Sequence, residues 1–517
     1  MTIDRRTLLQ SGAGLLLLSG LPARAATLTR PLGANPFTLG VAAGDPWPDG
    51  FVIWTRLGPK PLDEHGGMPQ AIVPVGWEVA EDQGFTRVIR RGEALARPEL
   101  GHSVHVELFG LRPHRHYWYR FSVAGSDVSP IGMARTAPAA DAAIDRARIA
   151  VAGCQHWEAG LFDVWGALAR EADLDLIFHY GDYIYEGAGR PDDAKVVRHH
   201  AGDEIYSLDD YRRRYAQYKS DPHLRAAHQS CAFAASFDDH EVDNNWAGAY
   251  DQDGTPPEIF LLRRMAGYQA WYENMPVRRA QMPDANGITA YRRLDYGQLL
   301  RTHILDTRSY RTDQSCNDIA RADSCTVEAH NSPDMLGRAQ EAWLDEGLSS
   351  PRTWNLLAQQ VIVMPFDVRQ PDQTRPVFET DLWDGYRPAK ARLIDSIRRH
   401  DLTNVVIATG DHHKHAAGVV PERDEAPDGK AVAVEFLSTS ISSGGNGRGD
   451  QGFDHLLRNN PNMDLYVDYR GYQLFDITPQ RWITDVKAMD DIQKPGGQIR
   501  SLLQYQVTPD RAALNRM

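Results

Sequence analysis

The sequence predicts an α/β (α+β) chain that carries an all-β module on its N-terminal side, and three observations support this. At 517 residues the chain exceeds what one ordinary core holds. Between residues 36 and 140, short strand patterns alternate with turn signals. From Ala147 onward, longer apolar strands alternate with helical spacing. The boundary falls in the Ala- and Asp-rich stretch near Ala139, which gives an expected β module over 36–140 and a larger domain over 145–517.

The first residues read as an export signal over 1–25. Arg5-Arg6 precede a Gly/Ala/Leu run to Leu21, and Ala23-Arg24-Ala25 has the form of a cleavage site. Paired arginines point to the twin-arginine export machinery, and hence to a periplasmic or secreted protein. The apolar run is too short and too interrupted by Gly and Ser for a membrane anchor. A formal net charge of -13 disfavours a nucleic-acid partner. Of the four cysteines, Cys316 and Cys325 share a polar Asp/Asn/Ser-rich segment and form the expected disulfide. Cys231 sits in an apolar run as a buried thiol, and Cys154 is left over.

Within the β module, Phe51-Val52-Ile53-Trp54-Thr55-Arg56, Val73 to Val79 and His102 to Leu108 alternate as strands. Tyr117 to Val123, after Leu111-Arg112-Pro113, looks like a late strand of a fibronectin III or immunoglobulin-like sandwich. No chemistry-bearing residues concentrate there, so the module reads as accessory.

The larger domain opens with Ala147 to Cys154, an apolar strand ending in Gly-Cys. A helical segment at 161–172 then leads into Leu174 to Phe178, a strand that breaks at Gly181. This β-α-β unit places Cys154 beside Asp182. Asp182 and Tyr185 then share the crevice at a strand's carboxyl end, where a carboxylate and a phenolate suit a hard cation such as ferric iron. The alternative is a Tyr-rich strand end packed on a neighbour, with Asp182 as a helix cap. Residues 211–218, 222–228 and 260–274 read as helices. Between them, Asp238-Asp239-His240-Glu241-Val242-Asp243-Asn244 forms either a solvated loop or a set of metal ligands. Further strands are expected at 299–305, from Trp354, at 404–409 and at 431–437. The third of these ends in Gly410-Asp411-His412-His413.

Taken in order, Gly-Cys154, Gly-Asp182-Xaa-Xaa-Tyr185, Asp238-Asp239-His240-Glu241 and Gly-Asp411-His412-His413 resemble the motif series of calcineurin-like metallophosphoesterases. There the series reads Asp-Xaa-His, Gly-Asp-Xaa-Xaa-Asp/Tyr, Gly-Asn-His-Glu and Gly-His-Xaa-His. Cys154 replaces the first motif's ligands, and Tyr185 is similar to the iron-binding tyrosine of purple acid phosphatases. With the export signal and the β module, this set resembles the alkaline phosphatase D (PhoD-like) family over nearly the whole mature chain. Ala270-Trp271-Tyr272-Glu273-Asn274-Met275-Pro276 and Leu305-Asp306-Thr307-Arg308-Ser309-Tyr310-Arg311 are further matching stretches.

The resemblance implies a metallophosphoesterase-type β-sandwich flanked by helices, and an exported alkaline phosphatase or phosphodiesterase acting on small phosphate mono- or diesters. It implies Fe3+ held by Cys154, Asp182, Tyr185 and one of Asp411 and His413, with Asp182 bridging to Ca2+. Asp239, Asn244 and the other of that pair are the calcium-side candidates. His240 is the implied acid/base or phosphate-orienting group. Arg263 and Arg264 either clamp phosphate oxygens or lie on a solvated helix face. A C-terminal helix over 497–506 would narrow the site toward small esters. An open site would instead suit a phospholipase D-like phosphodiesterase. The reading from another class is an inert metal-dependent binding protein of the envelope.

Overall fold

The computed structural model describes residues 34–123, 127–191, 195–318, 325 and 329–517, and the expected export signal lies outside them. Two sheets pack face to face. In the ten-stranded sheet, Ala147–Ala152, Leu176–His179 and Ala232–Ala235 lie side by side and parallel. In the seven-stranded sheet, Leu300–Ile304, Trp354–Ala358, Val405–Thr409 and Ala431–Leu437 do the same.

These strands read as continuous apolar runs because both of their faces are covered. Ile149, Val151, Phe178, Leu356, Val406 and Phe436 point between the sheets. Ala150, Ala152 and Ile177 face the helices Leu208–Lys219, Pro222–Ser230 and Pro257–Asn274. Leu357, Ile407 and Leu437 face Gly337–Leu348 and Arg387–Arg399. Each large apolar side chain so buried contributes about 1.5–3 kcal/mol. The period of two therefore fixes the layering as helices, sheet, sheet, helices, and all the parallel carboxyl ends open on one rim.

The N-terminal strands divide between two layers. Val73–Ala80, Val88–Ala96, His116–Val123, Asp127–Val128 and Gly132–Arg135 make a separate five-stranded sheet. Val41–Trp47, Gly50–Arg56 and Ser103–Glu107 instead extend the ten-stranded sheet, with Ala43 opposite Ala232 in a parallel pair. One layer of the module is thus shared with the larger domain. Arg292 on Asp45 and Arg56 on Asn274 tie the two together from buried positions.

The expected C-terminal helix over 497–506 is corrected: the segment is the strand Ile499–Thr508, paired antiparallel with Trp482–Met489 and Arg511–Arg516. The Leu502-Leu503 doublet imitates a helical face, but Tyr505 and Val507 alternate inward and Tyr505 Oη donates to Asp464. Narrowing of the site by such a helix goes with it. Cys316 and Cys325 are disulfide-bonded as expected, while Cys154 and Cys231 are buried free thiols. Among the described residues no helix is long and apolar enough to cross a membrane.

Candidate metal centre

Four residues just past the strand ends hold left-handed backbone: Cys154 (φ 51°), Asp182 (55°), Asp411 (65°) and His413 (59°). Such conformations cost of order 1–3 kcal/mol each and persist only where the surroundings impose them. Here the imposition is visible. Cys154 N donates to Gly181 O at 3.0 Å and Gln155 N to Asp182 O at 3.0 Å, locking two loops together. Gly181 itself (φ 134°) is obligatory, since a Cβ there would stand 2.4 Å from Asp238 N.

A buried carboxylate, Glu241, completes the lock by accepting from Asp182 N (3.0 Å), Tyr183 N (2.5 Å) and Asp238 N (2.8 Å). Burial lifts Glu241 to about 8 despite these bonds.

The side chains converge in three overlapping groups, each with ligand atoms within 4.8 Å of one another: Cys154, Asp182 and His413; Asp182, Asp239 and His240; Asp238, Asp239 and Asp411. Asp182 and Asp239 link the groups into one chain of donors. Tyr185 Oη donates to Asp182 Oδ2 (2.7 Å) and lies 3.1 Å from His413 Nε2. Asp182 Oδ1, Asp238 Oδ2 and Asp239 Oδ1 are buried without a hydrogen-bond partner. Orphaned buried oxygens are rare in native structures, and three pointing into one acidic cluster fit a cation.

The electrostatics agree. Burial, then the repulsion of neighbouring carboxylates, pushes the Cys154 thiol and the Asp182 carboxyl well above their usual ranges, a trend a bound cation would reverse. His413 is held well below its usual range by burial and then by Arg470, which leaves it the neutral imidazole that ligation needs.

His240 differs. Its Nδ1 lies 2.6 Å from Glu186 Oε2, and its ring lies against that of Tyr185 with centroids 4.1 Å apart. Burial disfavours its charge, but Glu186, Asp239 and Asp182 outweigh burial and raise its pKa. Glu186 is itself positioned by Asn244 N, which donates to Oε1 at 2.9 Å.

Of the residues expected at the site, Cys154, Asp182, Tyr185, Asp239, His240, Asp411 and His413 therefore meet. The Asn244 side chain is exposed and donates to Gln252. Arg263 is nearly buried and paired with Asp243 (2.7 Å) and Glu204 (2.8 Å), because a guanidinium out of water requires carboxylates. Arg264 donates to the Gly248 carbonyl. Neither arginine takes part in the converging groups.

Three residues were missed by sequence reasoning, Glu186, Arg308 and Asp381, and Asp238 was read only as part of the acidic stretch that runs to Asn244. Arg308 is fully buried behind the acidic groups, bonded to Asp238 (2.5 Å) and Asp381 (2.9 Å) and 3.4 Å from Asp411. Asp238 had a signal, being the first acid of Asp238-Asp239-His240-Glu241. Asp381 had none, because its segment carries no periodicity or motif.

Comparison with known proteins agrees with this architecture. Residues 149–486 match the family model described as PhoD-like phosphatase, and residues 23–138 match its N-terminal domain. The solved structure titled "Structure of PhoD" superposes with a TM-score of 0.89 at 41% identity, covering 94% of this chain and 93% of that one. Fold and match together define a phosphoric ester hydrolase. The chain is also 40% identical to alkaline phosphatase D of Bacillus subtilis (strain 168), over 100% of its own length and 89% of the relative's. It belongs to the PhoD-like phosphatase family.

Proposed function

We propose that the protein is an exported, metal-dependent alkaline phosphatase or phosphodiesterase that releases phosphate from small esters outside the cytoplasm. The observation that carries this reading is the sorting of donors. A thiol, a phenol and an imidazole gather at Cys154, Tyr185 and His413, while Asp238, Asp239 and Asp411 offer oxygen alone. Thiolate and phenolate are strong anionic donors that would stabilise ferric iron, and an all-oxygen set suits calcium. On this reading His413 serves iron, Asp411 serves calcium, and Asp182 lies between. Asn244 would reach calcium only by leaving Gln252.

Cations bound by these residues would supply positive charge to phosphate oxygens and an acidified water for in-line attack. The protein's own groups do the rest. Glu241 and the locked loops keep Asp182 and Asp238 in place as charge builds. Glu186 holds His240 by Nδ1, which leaves Nε2 to pass a proton to the leaving oxygen. Arginines 5 and 6 direct twin-arginine export, and the N-terminal β layers are read as a fibronectin III-like accessory module.

Two results are expected. The loaded protein absorbs visible light through tyrosinate-to-iron charge transfer, and Tyr185→Phe bleaches it; an unchanged spectrum in that variant removes Tyr185 from the ligands. His240→Asn slows alkyl phosphates by about a hundredfold, and p-nitrophenyl phosphate less, with metal content kept. Equal losses on both substrates would make His240 an orienting group and not the proton donor.

A further inference from the structure

An ester phosphate in this site would offer oxygens to a cationic side chain as well as to metal, and most of the arginines and the lysine near the cluster are committed elsewhere. Arg308 is held by Asp238 and Asp381 below the cluster. Arg470 is held by Asp468 (2.6 Å), the His413 carbonyl (2.6 Å) and the Gly445 carbonyl (2.6 Å). Lys414 leans on Asp468 at 3.4 Å. Arg214 is buried and its donors go to backbone carbonyls of Tyr185, Gly187 and Asp203. Arg263 and Arg264 are bonded to Asp243, Glu204 and the Gly248 carbonyl, away from the cluster.

Arg190 is different. Its side chain is 51% exposed and is ion-paired only through Nε, at 3.6 Å from the buried Glu158 and without a hydrogen bond to it, so that the Nη fork is left with one side-chain contact among the described residues, His156 Nε2 at 3.2 Å. His156 is nearly buried and its ring lies 4.5 Å from that of Tyr185. Its Nδ1 accepts from Glu158 N at 3.2 Å, and an imidazole brings no negative charge to Arg190.

The main chain at this point is fixed although the side chain is not. Arg190 N and His200 N both donate at 3.0 Å to Oε1 of the fully buried Glu158. An anchored backbone with a loosely held guanidinium beside Tyr185 is the arrangement of a ligand contact.

We propose that Arg190 binds the non-bridging oxygens of the substrate's phosphoryl group, exchanging its bond to His156 for a bidentate contact in the productive complex. The fork of an arginine matches two phosphate oxygens, which a lysine's point charge does not. The inference rests on the phosphoester reading of the cluster.

The test uses the metal-loaded enzyme and the variants Arg190→Ala, Arg190→Gln and Arg190→Lys. It measures kcat/KM on p-nitrophenyl phosphate, the inhibition constant of inorganic phosphate, the thermal midpoint and the metal content. Loss of a charge-assisted bidentate contact predicts that phosphate inhibition weakens by about tenfold or more in the Ala and Gln variants, with Lys recovering part. Metal content should stay at the wild-type value, while any drop in midpoint reports the lost ion pair to the buried Glu158 and is read separately from the phosphate constant. An unchanged phosphate constant and kcat/KM in folded, loaded Ala and Gln variants overturns the assignment. Failure of the wild-type enzyme both to bind phosphate and to turn over esters would overturn the phosphoester reading beneath it.

Discussion

Asp182→Asn is expected to lower turnover of p-nitrophenyl phosphate by about a thousandfold or more, because it removes the carboxylate that links the thiol-phenol-imidazole group to the acidic one. The amide keeps the shape, so the bond from Tyr185 Oη survives. It removes a charge that burial and the acids Asp239, Asp238 and Glu241 already disfavour. The metal-free fold should therefore be no less stable than wild type by urea titration while activity collapses. Activity and stability moving apart is the signature of a strained functional group. If both fell together, Asp182 would be a structural residue.

The second large effect is on the fold. Arg308→Met leaves Asp238, Asp381 and Asp411 buried beside a vacated charge, and removing one partner of a buried ion pair costs about 3–5 kcal/mol. The urea midpoint of metal-free protein should drop accordingly, with the slope unchanged. Arg308→Lys should regain only part, since one ammonium cannot bridge Asp238 and Asp381 as the guanidinium does. An unchanged midpoint in the Met variant would mean that the carboxylates are satisfied without Arg308.

Much of the candidate site was legible because its donor residues come directly after strands. A strand of buried residues such as Val405–Thr409 announces itself by composition, and topology puts the residues at its carboxyl end on the rim. Asp411 and His413 were thereby placed at the site, with the division between them left open. Left-handed backbone at both positions turns the two side chains toward different neighbours. Arg263 and Arg264 show the opposite limit. The family resemblance offered them as phosphate clamps, with a solvated helix face as the alternative, yet Asp243 and Glu204, distant in sequence from each other, decide where the Arg263 guanidinium goes. Arg308 lies within a stretch that carries the family resemblance but bears no mark of its depth, because burial of a charge depends on acids gathered from three other segments. The last strand of the ten-stranded sheet before the final hairpin turn was misread as a helix for a related reason. Alternation in a strand this far from the buried core is diluted by its partly exposed residues, and only pairing with Trp482–Met489 and Arg511–Arg516 reveals it.

On this account the strand ends hold a mixed pair of cations for phosphoester hydrolysis. Metal analysis of protein exported by its own signal, paired with p-nitrophenyl phosphate turnover on the same sample, tests it most directly. The account predicts iron together with calcium, and activity that is lost on calcium chelation with most iron retained and that returns when calcium is restored. A sample that turns over at full rate with neither metal bound would contradict it.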